Sequence, residues 1–170
     1  VDTPGARLAF CLLVSTLPVI LAGLVLKVTG AMEAMRSVAL IGWTMIGFGI
    51  VLWLADRFGA DRRSAAEWTW RHALVMGLWQ AVALIPGTSR SGATITGARL
   101  LGYNRIDAAR LAMLMSIPTI VASGTLLGVD AVRQADPGIW RDAAIAAGLS
   151  CLAALAALSI MMRLLRSVSY

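Results

Sequence analysis

Apolar and charged residues follow one another along this chain in long blocks. Four stretches carry no charge, Leu8 to Leu26, Val38 to Ala55, Leu111 to Gly128 and Ala143 to Met162. Each is bracketed by charged residues: Arg7 and Lys27, Arg36 and Asp56, Arg110 and Asp130, Asp142 and Arg163. At about 1.5 Å per residue, a helix of each length crosses about 30 Å of hydrocarbon, so the pattern predicts four transmembrane helices. Pro18 and Pro118 fall inside spans, beside Ser15, Thr16, Ser116 and Thr119. Those hydroxyls can serve the carbonyls a proline frees, and kinks are expected there. In the last span Ala146, Ser150 and Ala154 recur every four residues, a small-residue stripe read as ordinary helix packing.

The region from Ala73 to Leu101 breaks this pattern. Ala73 to Ile85 is apolar but too short to cross, PGTSRSGAT is polar and helix-breaking, and Ile95 to Leu101 is short again and contains Arg99. A Pro-Gly pair flanked by hydroxyls and an arginine cannot face lipid, so the break must be buried in protein or line a watery cavity. The arrangement expected is a re-entrant hairpin over 73–101, two half-helices meeting at a polar tip. Charge counting agrees. If the hairpin returns to its side of entry, Arg7, Arg57, Arg62, Arg63, Arg71, Arg105, Arg110, Arg163 and Arg166 share one side against Lys27, Arg36, Arg133 and Arg141, nine to four; if it crosses, the split is seven to six. The excess of basic residues on cytoplasmic loops favours re-entry from the cytoplasm.

Composition fits lipid as the solvent: 59% of the 170 residues are hydrophobic, 14% are charged, and the mean hydropathy is +0.79. The net charge of +6 does not indicate nucleic acid, because the basic residues sit between apolar runs and only two Tyr and three Phe are available for stacking. Cys11 and Cys151 lie within apolar runs with no second cysteine or histidine nearby, which argues against a disulfide or zinc site. The chain opens on Val, with no basic start leading to a short apolar segment and a cleavage site, so no signal peptide is expected and the sequence reads as beginning mid-protein.

The candidate chemistry lies in Pro86-Gly87-Thr88-Ser89-Arg90-Ser91-Gly92-Ala93-Thr94. Pro86 is expected to end the first half-helix and Ser91 to cap the second, whose free N–H groups from about Gly92 onward would form an anion site. Gly87 and Gly92 allow close backbone approach. Arg90 offers a permanent charge and a planar fork that can hold two phosphate oxygens, and an arginine at membrane depth is read as a ligand contact ahead of a bond to freed carbonyls. Gln80, near the end of the first half-helix, could reach a substrate or bridge helices. His72, the only histidine, sits where a loop enters the hairpin and is expected to be interfacial and non-catalytic.

The tip resembles the second signature of the bacterial undecaprenyl-pyrophosphate phosphatases of the bacitracin-resistance type, P-G-x-S-R-S-x-x-T, at every fixed position: Pro86, Gly87, Ser89, Arg90, Ser91 and Thr94. The surrounding WQAVALIPGTSRSGATITGARLLG and the order of spans agree with that family along the whole chain. The resemblance implies an all-α polytopic membrane bundle of four transmembrane helices and one re-entrant hairpin, forming half of an inverted repeat. It implies hydrolysis of undecaprenyl pyrophosphate to the monophosphate in the bacterial inner membrane, which recycles the carrier lipid of peptidoglycan synthesis and confers bacitracin resistance. Arg90 and Ser89 are then the expected catalytic residues, and Ser91, Gly92, Thr94 and Gln80 the substrate contacts.

The family's acidic first signature, its Ser-Ser-Thr-Gly-His segment and its last span are not in this sequence. The chain is therefore expected to be one membrane domain lacking an N-terminal repeat portion and a final helix, and to be catalytically incomplete alone. The Mg²⁺ or Ca²⁺ of such an enzyme would take its ligands from outside this chain. Expected partners are a polyprenyl-pyrophosphate lipid, the bilayer, the rest of the same protein and, as a further association, a second copy. A lipid transporter or flippase is the alternative, since broken helices and a midplane anion site also serve transport. A membrane scaffold would leave Arg90 unexplained.

Overall fold

The computed structural model describes residues 3–31, 35–133 and 137–167. Six α-helices are found among them: α1 (Pro4–Thr29), α2 (Val38–Phe58), α3 (Trp70–Val82), α4 (Arg90–Leu100), α5 (Arg105–Arg133) and α6 (Pro137–Ser167). The only other helical element described is a short 3₁₀ turn, Ala65–Glu67. Four stretches are long and apolar enough to cross a membrane, Gly5–Thr29, Val38–Phe58, Arg105–Val129 and Trp140–Ile160. They coincide with the four spans expected from the charge brackets, and the chain is a membrane protein built of helices. Between α2 and α5 lie two helices of 13 and 11 residues, about 20 and 16 Å long, each too short to span.

The chain forms two compact units, residues 1–123 and 124–170. In the first, helix directions follow from close approaches. Arg7 at the start of α1 donates to the Trp68 carbonyl (3.0 Å), and Gly77 of α3 lies against the backbone of Ser15, where a side chain would collide. The helices α1 and α3 therefore rise together. On the other side Gly92 lies against Leu52, while Gly59 packs on the Arg99 guanidinium, so α4 descends alongside α2. Cys11, Trp68, Ala73, Met76, Ala98, Tyr103, Leu111 and Met115 form the buried core, toward the lower end of the hairpin. The outer faces are apolar, with Leu13, Leu17, Leu21, Trp43 and Trp53 exposed, as lipid contact requires. In the second unit the described side chains of α6 are exposed, Ala146, Ser150 and Ala154 among them.

The two ends of the hairpin meet at a neck. Arg62 and Arg63 donate their amides to the Gly102 carbonyl (3.0 and 2.9 Å), and Asn104 returns one to the Arg63 carbonyl (3.1 Å). Asp107 accepts from the Ala65 amide (3.0 Å) and from the Asn104 amide side chain (2.8 Å). Arg105 grips Asp56 with two parallel bonds of 2.8 and 3.0 Å. The chain thus leaves α4 where it entered α3.

The half-helix boundaries differ from the sequence expectation. Thr69 caps α3 by accepting from the His72 amide, which starts the helix at Trp70, three residues early. The helix then ends before Pro86: Ala83, Leu84 and Ile85 each bond back three residues, a 3₁₀ tightening that closes the turn ahead of the proline. On the far side α4 begins at Arg90, so the RSGAT segment expected as a break is helical.

Candidate active site at the hairpin tip

The turn from α3 to α4 is made by Gly87, whose φ of +91° suits glycine alone. Thr88 bonds back to the Ile85 carbonyl (3.1 Å), and Ser89 is the first extended residue after it (φ −66°, ψ 122°). This early reversal makes Ser89 the N-cap in place of Ser91: its hydroxyl accepts from the Gly92 amide at 3.2 Å. Arg90 and Ser91 become the first two helical residues. Their amides, ahead of Gly92, are the ones left without intrahelical partners, together with the positive end of the helix dipole.

The side chains here divide into free and engaged. Ser89 and Ser91 are exposed, with hydroxyls 3.3 Å apart. The half-buried Arg90 guanidinium makes no hydrogen bond or ion pair with any described residue, which removes the reading in which it ties up freed carbonyls. Thr94 is different: buried, it donates to the carbonyls of Arg90 (2.9 Å) and Ser91 (3.0 Å) and stiffens the first turn. Gln80 is buried and spans helices, donating from Nε2 to Thr119 on α5 (2.8 Å), while its Oε1 has no partner. Gly92 presents its amide to Ser89, and a methyl group there would crowd the Ser89 side chain at 3.2 Å. Ser89, Arg90, Ser91 and Gly92 therefore come together, Thr94 bonds back into the same turn, and Gln80 joins α3 to α5.

Depth follows from the register with α2. Arg99 is level with Gly59, and Gly92, seven residues earlier, with Leu52, so the first turn of α4 lies about 10–15 Å above the neck beside the middle of the 21-residue α2. Two cavities of about 420 Å³ lie lower, one lined by Gly59, Arg62, Arg63 and Gly102, the other by Leu52, Trp53, Ile95 and Arg105. Neither contains the residues of the cap.

Sequence reasoning left Arg99 without a role. It is 1% exposed, ion-paired with Asp61 and Asp56, and donates to the carbonyls of Tyr103 (2.7 Å), Asp56 (3.0 Å) and Gly59 (3.0 Å). The available signal was an arginine inside a short helix, with Asp56 at the end of α2 and Asp61 in the loop after it as distant candidates for partners. His72 also belongs to the neck: its Nδ1 is 2.7 Å from the Tyr103 hydroxyl, with the rings edge to face. Burial, aided by Arg63, holds the His72 pKa below its usual range, and burial pushes Tyr103 up to about 12.

The family model described as "Bacitracin resistance protein BacA" matches residues 1–170. This chain belongs to the BacA family. Within it, the chain is 64% identical over its full length to an undecaprenyl-diphosphatase of Dinoroseobacter shibae, covering 64% of that protein. It is 62% identical over 169 residues to one of Ruegeria pomeroyi, covering 63%, and 40% identical over 171 aligned residues to one of Maricaulis maris, covering 64%. The chain thus spans just under two thirds of these BacA relatives. The donor set at its tip is hydroxyls, amides and a guanidinium, and no group of three or more His, Cys, Asp and Glu able to hold a metal occurs among the described residues. That set does not fit a divalent cation.

Proposed function

We propose that the full-length protein containing this chain is an undecaprenyl-pyrophosphate phosphatase of the bacterial inner membrane, and that this chain supplies the pyrophosphate clamp. One observation carries the reading: a half-buried arginine with no hydrogen bond or ion pair among the described residues, at the first position of a helix and beside the middle of a membrane-length neighbour. An unpaired guanidinium at such depth is costly unless a ligand completes it. The BacA relatives, named for an activity on undecaprenyl diphosphate, supply the ligand's class.

In this reading the short hairpin re-enters from the cytoplasmic face, and its cap meets the lipid headgroup near the midplane. Water attacks the terminal phosphorus, the bridging P–O bond breaks, and the products are the lipid monophosphate and inorganic phosphate. Arg90 straddles two phosphoryl oxygens, the Ser89 hydroxyl donates to a third, and Ser91 and the free amides of the first turn bind the rest. Fixed donors of this kind stabilise charge developing in the transition state. Thr94 and Gln80 hold the turn and its supporting helix. Residues beyond this chain would supply the base that takes a proton from the attacking water and the ligands for Mg²⁺ or Ca²⁺.

The test is turnover. Purified full-length protein should release phosphate from a polyprenyl pyrophosphate, and lipid movement between leaflets without phosphate release would replace the enzyme with a carrier.

A further inference from the structure

We infer that Thr44 on α2 is a positioning residue that latches the hairpin tip and thereby sets the place of Arg90; this rests on the clamp reading above. Its hydroxyl lies 2.6 Å from the Pro86 carbonyl, closer than to the Leu40 (3.0 Å) or Ile41 (2.9 Å) carbonyls of its own helix. A hydroxyl has one proton to give, and the shortest contact is the one that leaves the helix. Pro86 stands where α3 has ended and α4 has not begun, and its carbonyl takes no backbone amide. Without Thr44 the carbonyl of the half-buried Pro86 would have no partner among the described residues.

The fit around the latch is close on both sides. At Gly87, a Cβ would strike the Thr44 hydroxyl and come within 2.6 Å of the Ile41 carbonyl. Only Thr88 separates this contact from the Ser89 cap, and the Thr88 hydroxyl is itself buried without a partner. The hairpin is thus fixed to α2 twice, by Arg99 at Asp56 and Gly59 and by Pro86 at Thr44. The cap hangs between these points, so the upper one decides where the Arg90 fork stands.

In full-length protein, Thr44→Val keeps the shape and removes the hydroxyl. It should lower kcat about tenfold, equivalent to about 1.4 kcal/mol of barrier, with KM little changed and Thr44→Ser restoring most of the rate. Combined with Arg90→Lys it should cost little beyond Arg90→Lys alone, because both act through one fork. A second readout is independent of turnover. A cysteine placed by Thr88→Cys, in a background without other cysteines, should react with a water-soluble maleimide several-fold faster when Thr44→Val is present. Wild-type turnover with unchanged labelling would overturn the latch, and so would a loss matched by a lowered Tm that Thr44→Ser does not relieve. If the wild-type protein releases no phosphate, the phosphatase reading fails, and the labelling still decides the latch.

Discussion

Arg90 and Arg99 stand nine residues apart on one short helix, and their surroundings are opposite. Arg99 is enclosed, with two aspartates and three carbonyls around its guanidinium; the Arg90 guanidinium makes no hydrogen bond or ion pair with any described residue. Both sit on a helix too short to cross a bilayer, where an arginine's charge must be answered. At the neck the protein answers it from within, and the result is architecture. At the cap no described residue answers it, and that is what the proposed clamp rests on. The residue type is the same in both places, so function is read from what remains unsatisfied.

The sharpest way to break this comparison is Arg90→Lys in full-length protein. Lysine keeps the charge and loses the planar fork, so turnover should fall roughly a hundred- to a thousandfold while Tm stays near wild type. A loss explained by unfolding would make Arg90 a second Arg99. The mirror experiment is Arg99→Gln, which leaves the Asp56, Gly59 and Tyr103 carbonyls short of donors. Stability should drop by about 3 kcal/mol, seen as a lower Tm and yield, with turnover per folded molecule largely kept.

How much of this was legible beforehand depended on how far apart the partners lie in sequence. The spans could be read because hydrocarbon thickness and bracketing charges act locally, whereas the meeting of Arg63 with Tyr103 and Asn104 joins residues about 40 apart in sequence. Ser89 and Ser91 are equally good caps by type, and only the reversal at Gly87 chose between them. The Arg99 pairs reach back 38 to 43 residues and the Thr44 bond reaches forward 42, which no local pattern encodes. Gln80 was balanced between substrate and helix bridge, and the hydroxyl it bonds, Thr119, is 39 residues away.

A third experiment sharpens the neck itself. Cysteines at Ala60 and Asn104, in a background without Cys11 and Cys151, should both label from the cytoplasmic side; labelling from opposite sides would remove re-entry. The smallest effect concerns His72. Its folded pKa is held below the usual 6.5, so the unfolded chain takes up the proton first as pH falls. Stability should therefore be level above about 6.5 and decline below it. In the neutral ring Nδ1 can accept the Tyr103 proton, and protonation turns it into a donor to the phenol oxygen, reversing the bond at the cost of a charge in a half-buried place. In thermal melts between pH 7.5 and 5, His72→Gln should flatten this dependence while turnover stays near wild type, and a hundredfold loss of turnover would move the histidine into the chemistry.

The closed neck also sets a schedule for synthesis. The Asn104 side chain that bonds the Arg63 carbonyl is made 41 residues later, roughly two to eight seconds at about 5–20 residues per second. By the end of that interval α3 and Arg90 have been made, but Asn104 has not yet bonded the Arg63 carbonyl to close the neck. Each of the two short helices is below the length that crosses a bilayer, so neither is a finished span before the clasp emerges. A ribosome that stalls between Arg63 and Asn104 would leave an open hairpin, the form of this chain most exposed to quality-control proteases.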